Sequence, residues 1–283
     1  MNEVGPKLDE LERVLRGIGP VAVAVSGGVD SLTLAAFAHR ALGEDVQMFH
    51  AVSPAVPHEA TVRVQKLADG EGWALTVIDA GEFDDADYRS NPVNRCFYCK
   101  TNLYGAVAPR TTAQIVSGTN LDDLGEYRPG LEAAKNYGVR HPFVEAGIDK
   151  NTVRAIARHL DLAEVAELPA APCLSSRIET GIAIDPGMLK LVHAAERLVS
   201  QALTPRTVRC RVRAKGVVVE LDEQNLAALD SSRRQSLSAQ VGRLFSDGGF
   251  DYPVSLAPYR SGSAFLVRMA SPPALSTSGE GAN

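Results

Sequence analysis

The chain has 283 residues, 45% of them apolar and 22% charged, a balance that excludes a disordered, fibrous or collagen-like protein. At about 150 residues per domain it makes one large domain or two smaller ones, with enough chain to bury a core without disulfide staples. Lys and Arg number 29 against 34 Asp and Glu, a net charge of −5, which argues against a broad nucleic-acid or anionic-membrane binder.

The opening MNEVGPKLDELERVL is charged and helix-forming and has no signal-peptide core. No run approaches the roughly 18 apolar residues of a membrane span. The expected location is the cytoplasm, where cysteines are free, catalytic or metal-bound rather than disulfide-linked. Up to about residue 165, short apolar runs alternate with helical patterns. VAVAV (Val21 to Val25), DVQMFHAV, LTVIDA and AQIVSG read as strands. LTLAAFAHRAL, ATVRVQKLADG and CKTNLYGAVA between them read as helices. Continuous apolar strands separated by helices predict an α/β fold, a parallel sheet with helices on both faces. A further helix begins near Asp149, with Val153, Ile156, Ala157 and Leu160 at i, i+3, i+4 and i+7.

Ligands of such sheets bind outside the carboxyl ends of the strands. The loops there are SGGVDS, SPAVPHEA, the long segment from Gly81 to Arg95, and SGTNLDDLGEYRPG. ELPAAPCLSSRIETG then reads as a linker or active-site loop. A smaller α+β unit follows. Asp185 and Pro186 stand at the N-cap and first helical position of MLKLVHAAERLVSQAL. TVRCRVR alternates strictly, turns at Ala214-Lys215-Gly216 and returns as VVVEL, a hairpin. A helix from about Asp230 to Phe245 and one or two short strands complete the unit. The expected division is 1–168, 169–270 and a disordered polar tail over 271–283.

The sharpest motif is Ser26-Gly27-Gly28-Val29-Asp30-Ser31, directly after the first strand. A glycine turn opening a helix gathers backbone N–H groups at the positive end of the helix dipole, which suits phosphates. Ser26 and Ser31 add hydroxyls, and Asp30 is suited to Mg²⁺. The loop lacks the GK[ST] ending of a Walker A motif, and so lacks the lysine that holds β/γ-phosphates in γ-transfer. Placed this way, SGGVDS resembles the PP-loop ATP pyrophosphatases. That resemblance implies cleavage of ATP between the α- and β-phosphates, with AMP placed on a substrate oxygen. Ser53 after the second strand, and Gly118, Thr119 and Asn120 in SGTN, are further candidates for the nucleotide site.

Cys96 and Cys99 form a C-x-x-C in NRCFYCK, Cys173 lies in APCLSSR, and Cys210 lies in the VRCRVR strand. A C-x-x-C binds zinc, ligates an iron–sulfur cluster or cycles as a redox pair, and its place at a helix start predicts acidified thiols. Cys210 shares a strand face with Val208 and Val212 and reads as core. Cys96, Cys99 and Cys173 are then one thiolate short of a closed four-ligand site. The six histidines show no metal spacing.

The loop, NRCFYCKTNLY, NLDDLGEYRPGLEAA, HPF-E and PAAPCLSSRI together resemble, from about Leu8 to Val267, the LarE family of ATP-dependent sulfur transferases of nickel-pincer cofactor synthesis. The resemblance implies that ATP adenylates a carboxylate of pyridinium-3,5-dicarboxylate mononucleotide and that sulfur converts it to a thiocarboxylate. In one branch of the family a single cysteine at the Cys173 position is sacrificed. In the other, that cysteine joins a C-x-x-C to hold a [4Fe–4S] cluster carrying extra sulfide, and this sequence resembles the latter. It also implies a homo-oligomer and a sulfur donor protein or sulfide. The expected cofactors are ATP, Mg²⁺ and the cluster, with zinc as the alternative metal.

Ser176 and Arg177, beside Cys173, are catalytic candidates with Cys173 and Asp30. Arg209, Arg211 and Arg213 share a strand face, either as a phosphate clamp or as a solvated face. Arg209 and Arg211 are candidates for substrate, with Glu220 to orient an arginine and Glu126 and Arg128 to shape the pocket. The rival functions are a PP-loop amide synthetase of the NAD or GMP synthase kind, a tRNA sulfur transferase, and a nucleotide- or zinc-binding regulatory module. The tRNA enzyme needs a basic surface, which the net charge of −5 opposes.

Overall fold

The computed structural model describes residues 4–125, 128–170 and 172–266. Glu126 and the tail from residue 271 lie outside the described residues. In chain order the first elements are α1 (Gly5–Ile18), β1 (Val21–Ala24), α2 (Val29–Leu42), β2 (Val46–Ala51), α3 (His58–Glu71) and β3 (Ala74–Ile78). Then come α4 (Ala86–Arg89), α5 (Arg95–Val107), β4 (Gln114–Ser117), α6 (Pro129–Asn136), α7 (Pro142–Glu145), α8 (Lys150–His159) and α9 (Ala163–Ala166).

The four strands pair in parallel in the order β3-β2-β1-β4. The chain therefore leaves β1 to one side for β2 and comes back on its other side with β4. The carboxyl ends of β1 and β4 form the crevice that such a reversal opens for ligands. β1 reads Val-Ala-Val-Ala because it is covered on both faces. Val21 and Val23 join the layer of α1, α2 and α8, while Ala22 faces the layer of α5 and α6. On α8, the side chains expected on one face are buried, from Val153 to Leu160. Asp149 caps the helix by accepting from the Thr152 N–H at 2.8 Å, as Asp side chains do.

LTVIDA departs from the expectation of a buried strand. β3 is the sheet edge, and Ala74, Thr76 and Val77 are exposed or half-buried. An edge strand has a neighbour on one side only, so its apolar run is left partly uncovered.

The second unit comprises α10 (Pro186–Leu203), β5 (Val208–Arg213), β6 (Gly216–Leu221), α11 (Glu223–Ala227), α12 (Ser231–Asp247) and β7 (Val254–Pro258). β5 and β6 are the expected antiparallel hairpin, and β7 joins β6 in parallel. Gly216 has φ +140°, and a Cβ there would sit 2.4 Å from the Pro253 carbonyl oxygen. Asp185 caps α10 through the Met188 N–H at 2.8 Å. Val192, Val199, Val241 and Phe245 from α10 and α12 pack on the sheet, and Cys210 is fully buried among them. Ala55, from the loop after β2, and Tyr88 of α4 belong to this same apolar cluster. No helix among the described residues is long and apolar enough to cross a membrane.

Candidate active site

The SGGVDS loop is shaped by its glycines. Gly27 takes φ +82°, and a Cβ on it would lie 2.8 Å from the Ala60 carbonyl oxygen at the start of α3. Arg63 of α3 donates from Nη1 to the Gly27 carbonyl at 2.5 Å. Ser31 Oγ lies 3.0 Å from Ser26 Oγ and accepts the Ser26 N–H at 3.1 Å. Gly28 occupies the N-cap of α2, so the first N–H groups of that helix open into the loop. The SGTN segment closes on it. A Cβ at Gly118 would meet Asp30 C and Ser31 N, each at 2.8 Å. Gly118→Ala must therefore push β4's loop off the helix start, at a cost of about 1–3 kcal/mol by overpacking. Chemical denaturation is expected to show that loss together with weakened nucleotide binding, whereas Ala at the open Gly17 is expected to show neither.

Asp30 is already engaged. Asn120 Nδ2 donates to its Oδ1 at 3.1 Å, and the Lys150 ammonium from the first turn of α8 donates to its Oδ2. Sequence reasoning overlooks Lys150, since the two residues lie 120 positions apart. Ser117 Oγ lies 2.9 Å from His141 Nδ1, a histidine whose pKa burial pushes down. Arg128 pairs with Asp123 at 2.7 Å.

ELPAAPCLSSRIETG is no free linker. Leu174–Arg177 forms a buried 3-10 turn with Cys173 at its N-cap. Leu174 donates to the Ala55 carbonyl at 2.8 Å, which pins the turn to the loop after β2. Tyr88 Oη and Ser175 Oγ are 2.7 Å apart. Asn91, buried and at φ +55°, donates from Nδ2 to the Glu179 and Ile182 carbonyls, each at 2.9 Å. Its Oδ1 accepts from Arg95, the first residue of α5. These contacts join the turn bearing Cys173 to the helix bearing Cys96 and Cys99, and nothing in the local sequence pattern marks Tyr88 or Asn91 for that task.

The three thiols lie within electrostatic reach of one another and of Lys100. The expected acidification fails. Burial, then the charge of Cys173, pushes the Cys99 thiol up to about 12, and burial likewise raises Cys96. Desolvation of a thiolate outweighs the helix dipole here. The set suits a cationic centre in kind: protons that burial retains are displaced by a metal that brings its own charge. Among the described residues no three His, Cys, Asp or Glu side chains are already gathered around one point that would hold a metal ion.

Glu82, in the loop after β3, is 5% exposed and hydrogen-bonds to Ser53, while its Oε2 has no partner. Burial pushes its pKa up. A raised carboxyl stabilises the fold fully below its unfolded pKa of about 4.3, and the contribution is lost as pH rises through the folded value. Glu82→Gln is therefore expected to gain stability relative to the parent as pH goes from about 4 to 7. Urea midpoints across that range check it; a difference that stays flat would refute it.

The arginine face of β5 is covered at its centre, where Arg211 is buried, and partly exposed at Arg209 and Arg213. Arg211 Nε donates to Glu220 Oε2 at 3.1 Å and its Nη1 to the Ser176 carbonyl at 2.9 Å. Arg213 donates to Glu220 Oε1 at 2.8 Å. Arg209 donates to the Ala170 carbonyl at 2.7 Å and lies over the Tyr259 ring. Arg177 is held by Glu196 of α10 at 2.9 and 3.1 Å and donates to Ser176 Oγ at 3.0 Å. The structure thus brings Ser176, Arg177, Arg211 and Glu220 together beside Cys173. Glu196, which sequence reasoning misses, reads locally as one more polar residue of an amphipathic helix.

No family model matches the chain. An uncharacterised protein of Synechocystis sp., slr1717, is 34% identical over 268 residues, covering 90% of this chain and 96% of its own. The pyridinium-3,5-bisthiocarboxylic acid mononucleotide synthase of Lactiplantibacillus plantarum is 28% identical, covering 93% and 95%. A glutamine-hydrolysing GMP synthase chain of Methanopyrus kandleri is 26% identical over 218 residues, covering 68% and 67%. The similarity to the pyridinium synthase runs through both sheets and the thiol-bearing turn, and that to GMP synthase is in keeping with the phosphate loop. The chain belongs to the LarE family of ATP-dependent sulfur transferases, within the PP-loop ATP pyrophosphatases.

Proposed function

We propose that the protein adenylates a carboxylate of pyridinium-3,5-dicarboxylate mononucleotide and converts it to a thiocarboxylate, with sulfur delivered at Cys96, Cys99 and Cys173. The observation that carries this reading is one junction. The turn of Cys173 is pinned to the loop after β2 through Leu174 and Ala55 at 2.8 Å, beside a phosphate loop that has no lysine of its own.

The chemistry follows from charge. A carboxylate resists nucleophiles because it is anionic and has no leaving group. Its oxygen attacks the α-phosphorus of ATP, and pyrophosphate leaves into Ser26–Ser31, where amide N–H groups and the α2 dipole take the charge. Asp30 would hold the Mg²⁺, and Ser53 with Gly118, Thr119 and Asn120 would complete the nucleotide site. Sulfur then attacks the acyl carbon, the bond to AMP breaks, and AMP departs with the electron pair. Arg209, the more open of the two, faces the substrate phosphate, and Arg211, kept in place by Glu220, steadies the turn of Cys173 through the Ser176 carbonyl. A [4Fe–4S] cluster would be held by Cys96, Cys99 and Cys173, and when bound it supplies nucleophilic sulfide.

The test is product analysis. Substrate-dependent release of AMP and pyrophosphate, and a product with one oxygen exchanged for sulfur, are expected. ADP and phosphate would overturn the assignment, and an amide formed from ammonia would move the protein to the amide synthetases. A sacrificial Cys173 is the second reading, and it asks nothing of Cys96 and Cys99. It predicts that Cys173 loses the elements of H₂S after one turnover, where the cluster reading predicts iron and acid-labile sulfide that Cys96→Ala removes.

A further inference from the structure

The peptide between Gly27 and Gly28 is the least constrained in SGGVDS. Neither flanking residue has a Cβ, and Gly27 sits at φ +82°, so local sterics allow this plane to turn over. A trans peptide points its carbonyl and its N–H in opposite directions, and no peptide among the described residues is cis. Turning the plane over would exchange a donor for an acceptor at the face of the loop. The neighbouring planes are fixed by other means. The Val25 carbonyl lies 2.8 Å from Nδ1 of the buried His50, and the Ser26 N–H of the same peptide donates to Ser31 Oγ at 3.1 Å. The Gly28 carbonyl accepts the Leu32 N–H at 3.0 Å at the start of α2. The Gly27 carbonyl is held from outside the loop, by Arg63 Nη1 at 2.5 Å. Arg63 stands on the second turn of α3, and that helix is itself anchored. Ala60 backs directly onto Gly27, and Thr61 Oγ1 lies 3.0 Å from His50 Nε2. One turn before Arg63, Glu59 lies 3.0 Å from His193 Nε2 and 3.6 Å from Arg197 Nε, both on α10.

We propose that Arg63 is a positioning residue for pyrophosphate departure: by holding the Gly27 carbonyl toward α3, it keeps the Gly28 N–H turned the other way, as a donor to the leaving group. The inference rests on the reading of SGGVDS as the loop that holds the departing pyrophosphate. Arg63 acts through the peptide and not on the phosphates. Its Nη1 is taken by a carbonyl, and the side chain is half-buried, where such a hydrogen bond gains more than it does in water. As the substrate carboxylate oxygen bonds to the α-phosphorus, the bond from that phosphorus to the bridging oxygen breaks. The electron pair stays on pyrophosphate and no proton moves. Negative charge therefore grows on the leaving group, and an N–H already aimed at it stabilises the transition state more than the ground state. With the plane turned over, a carbonyl oxygen would stand there and repel the same charge. Two glycines in succession let the backbone come close to an oxyanion, and they also leave its direction unset. α3 supplies the direction.

The experiment titrates the full-length protein with inorganic pyrophosphate in Mg²⁺, and separately with AMP, by calorimetry. Arg63→Met is expected to weaken pyrophosphate by about tenfold or more, the size of a lost charge-assisted hydrogen bond, and to leave AMP affinity unchanged. In turnover it lowers kcat more than it raises the KM for ATP. Arg63→Lys, which offers the same carbonyl a single charged donor, is expected to recover most of both losses. If Arg63→Met fails to fold, Arg63→Ala, a strong helix former on α3, gives the same comparison. Equal losses for pyrophosphate and AMP would show a residue that only keeps α3 in place, and would overturn the inference. So would an Arg63→Met protein that binds pyrophosphate as the parent does, or an Arg63→Lys protein as weak as Arg63→Met. A parent protein that binds neither ligand would overturn the nucleotide reading itself, and this inference with it.

Discussion

Cys173→Ala is expected to lower thiocarboxylate formation by at least about three orders of magnitude, the scale seen when a catalytic nucleophile is removed, while substrate-dependent pyrophosphate release continues. The two outcomes separate because the side chain and the main chain of Cys173 do different things. The fold uses the main chain: the Cys173 carbonyl accepts from the Ser176 N–H at 3.0 Å and from Arg177 Nη1 at 3.2 Å. Alanine keeps both bonds and keeps the Leu174 contact to Ala55. The thiol packs only partly against the apolar cluster, so its loss removes little burial. The nucleotide loop is built from β1, α2 and the SGTN segment and does not include residue 173. The acyl adenylate should then form and wait. Hydroxylamine would trap it as a hydroxamate, and the variant should yield more of that product than the parent. Sulfur transfer that survives in Cys173→Ala would remove this residue from the chemistry. Ammonia-dependent amide formation that survives would favour the amide synthetases.

What the sequence reveals of this protein follows the range of the interactions concerned. β1, α8 and α10 are legible because their signals are local: an apolar run after a helix, a 3.6 period from Val153 to Leu160, an Asp-Pro start at residues 185 and 186. Cys210 is legible because alternation along β5 puts it on the valine face, where it is fully buried. The strand–turn–helix junction at SGGVDS is legible because its glycines and hydroxyls are contiguous. The engagement of Asp30 by Lys150 is not, because α8 returns to the loop only through the parallel sheet's crossover. The arginine strand is half legible. Period two places Arg209, Arg211 and Arg213 on one face, but a period does not say what covers a face, and here the turn at Leu174–Arg177 covers Arg211 and leaves its two neighbours partly exposed. The edge position of β3 is likewise a matter of strand order, which an apolar run does not encode. The thiol acidity is lost for a related reason: a helix start is visible in sequence, whereas the burial that raises Cys99 comes from distant segments.

Glu220→Ala is expected to destabilise the protein by about 3–5 kcal/mol, the cost of leaving a buried charge without its partner. The Glu220 side chain is 2% exposed and that of Arg211 5%. One carboxylate serves two guanidiniums, Arg211 through Oε2 and Arg213 through Oε1, and Oε1 also accepts from Ser263 Oγ at 2.6 Å. Arg213 has the Ser263 carbonyl at 3.0 Å as a second acceptor and is partly exposed, so water can replace part of what it loses. Arg211 keeps the Ser176 carbonyl at 2.9 Å, but a carbonyl dipole does not replace a full charge at that depth. The melting temperature should fall by roughly 10 °C at about 2–4 °C per kcal/mol for a chain of this size. Glu220→Gln keeps an acceptor and should lose distinctly less. The loss reaches function through Ser176: when Arg211 moves, the carbonyl it holds moves, and with it the turn that carries Cys173. Calorimetric melts and thiocarboxylate yield should therefore fall together in Glu220→Ala, with yield falling further than the fraction unfolded explains. A change in stability below about 1 kcal/mol, the range of an exposed ion pair, would show that the pair is not the buried anchor described here.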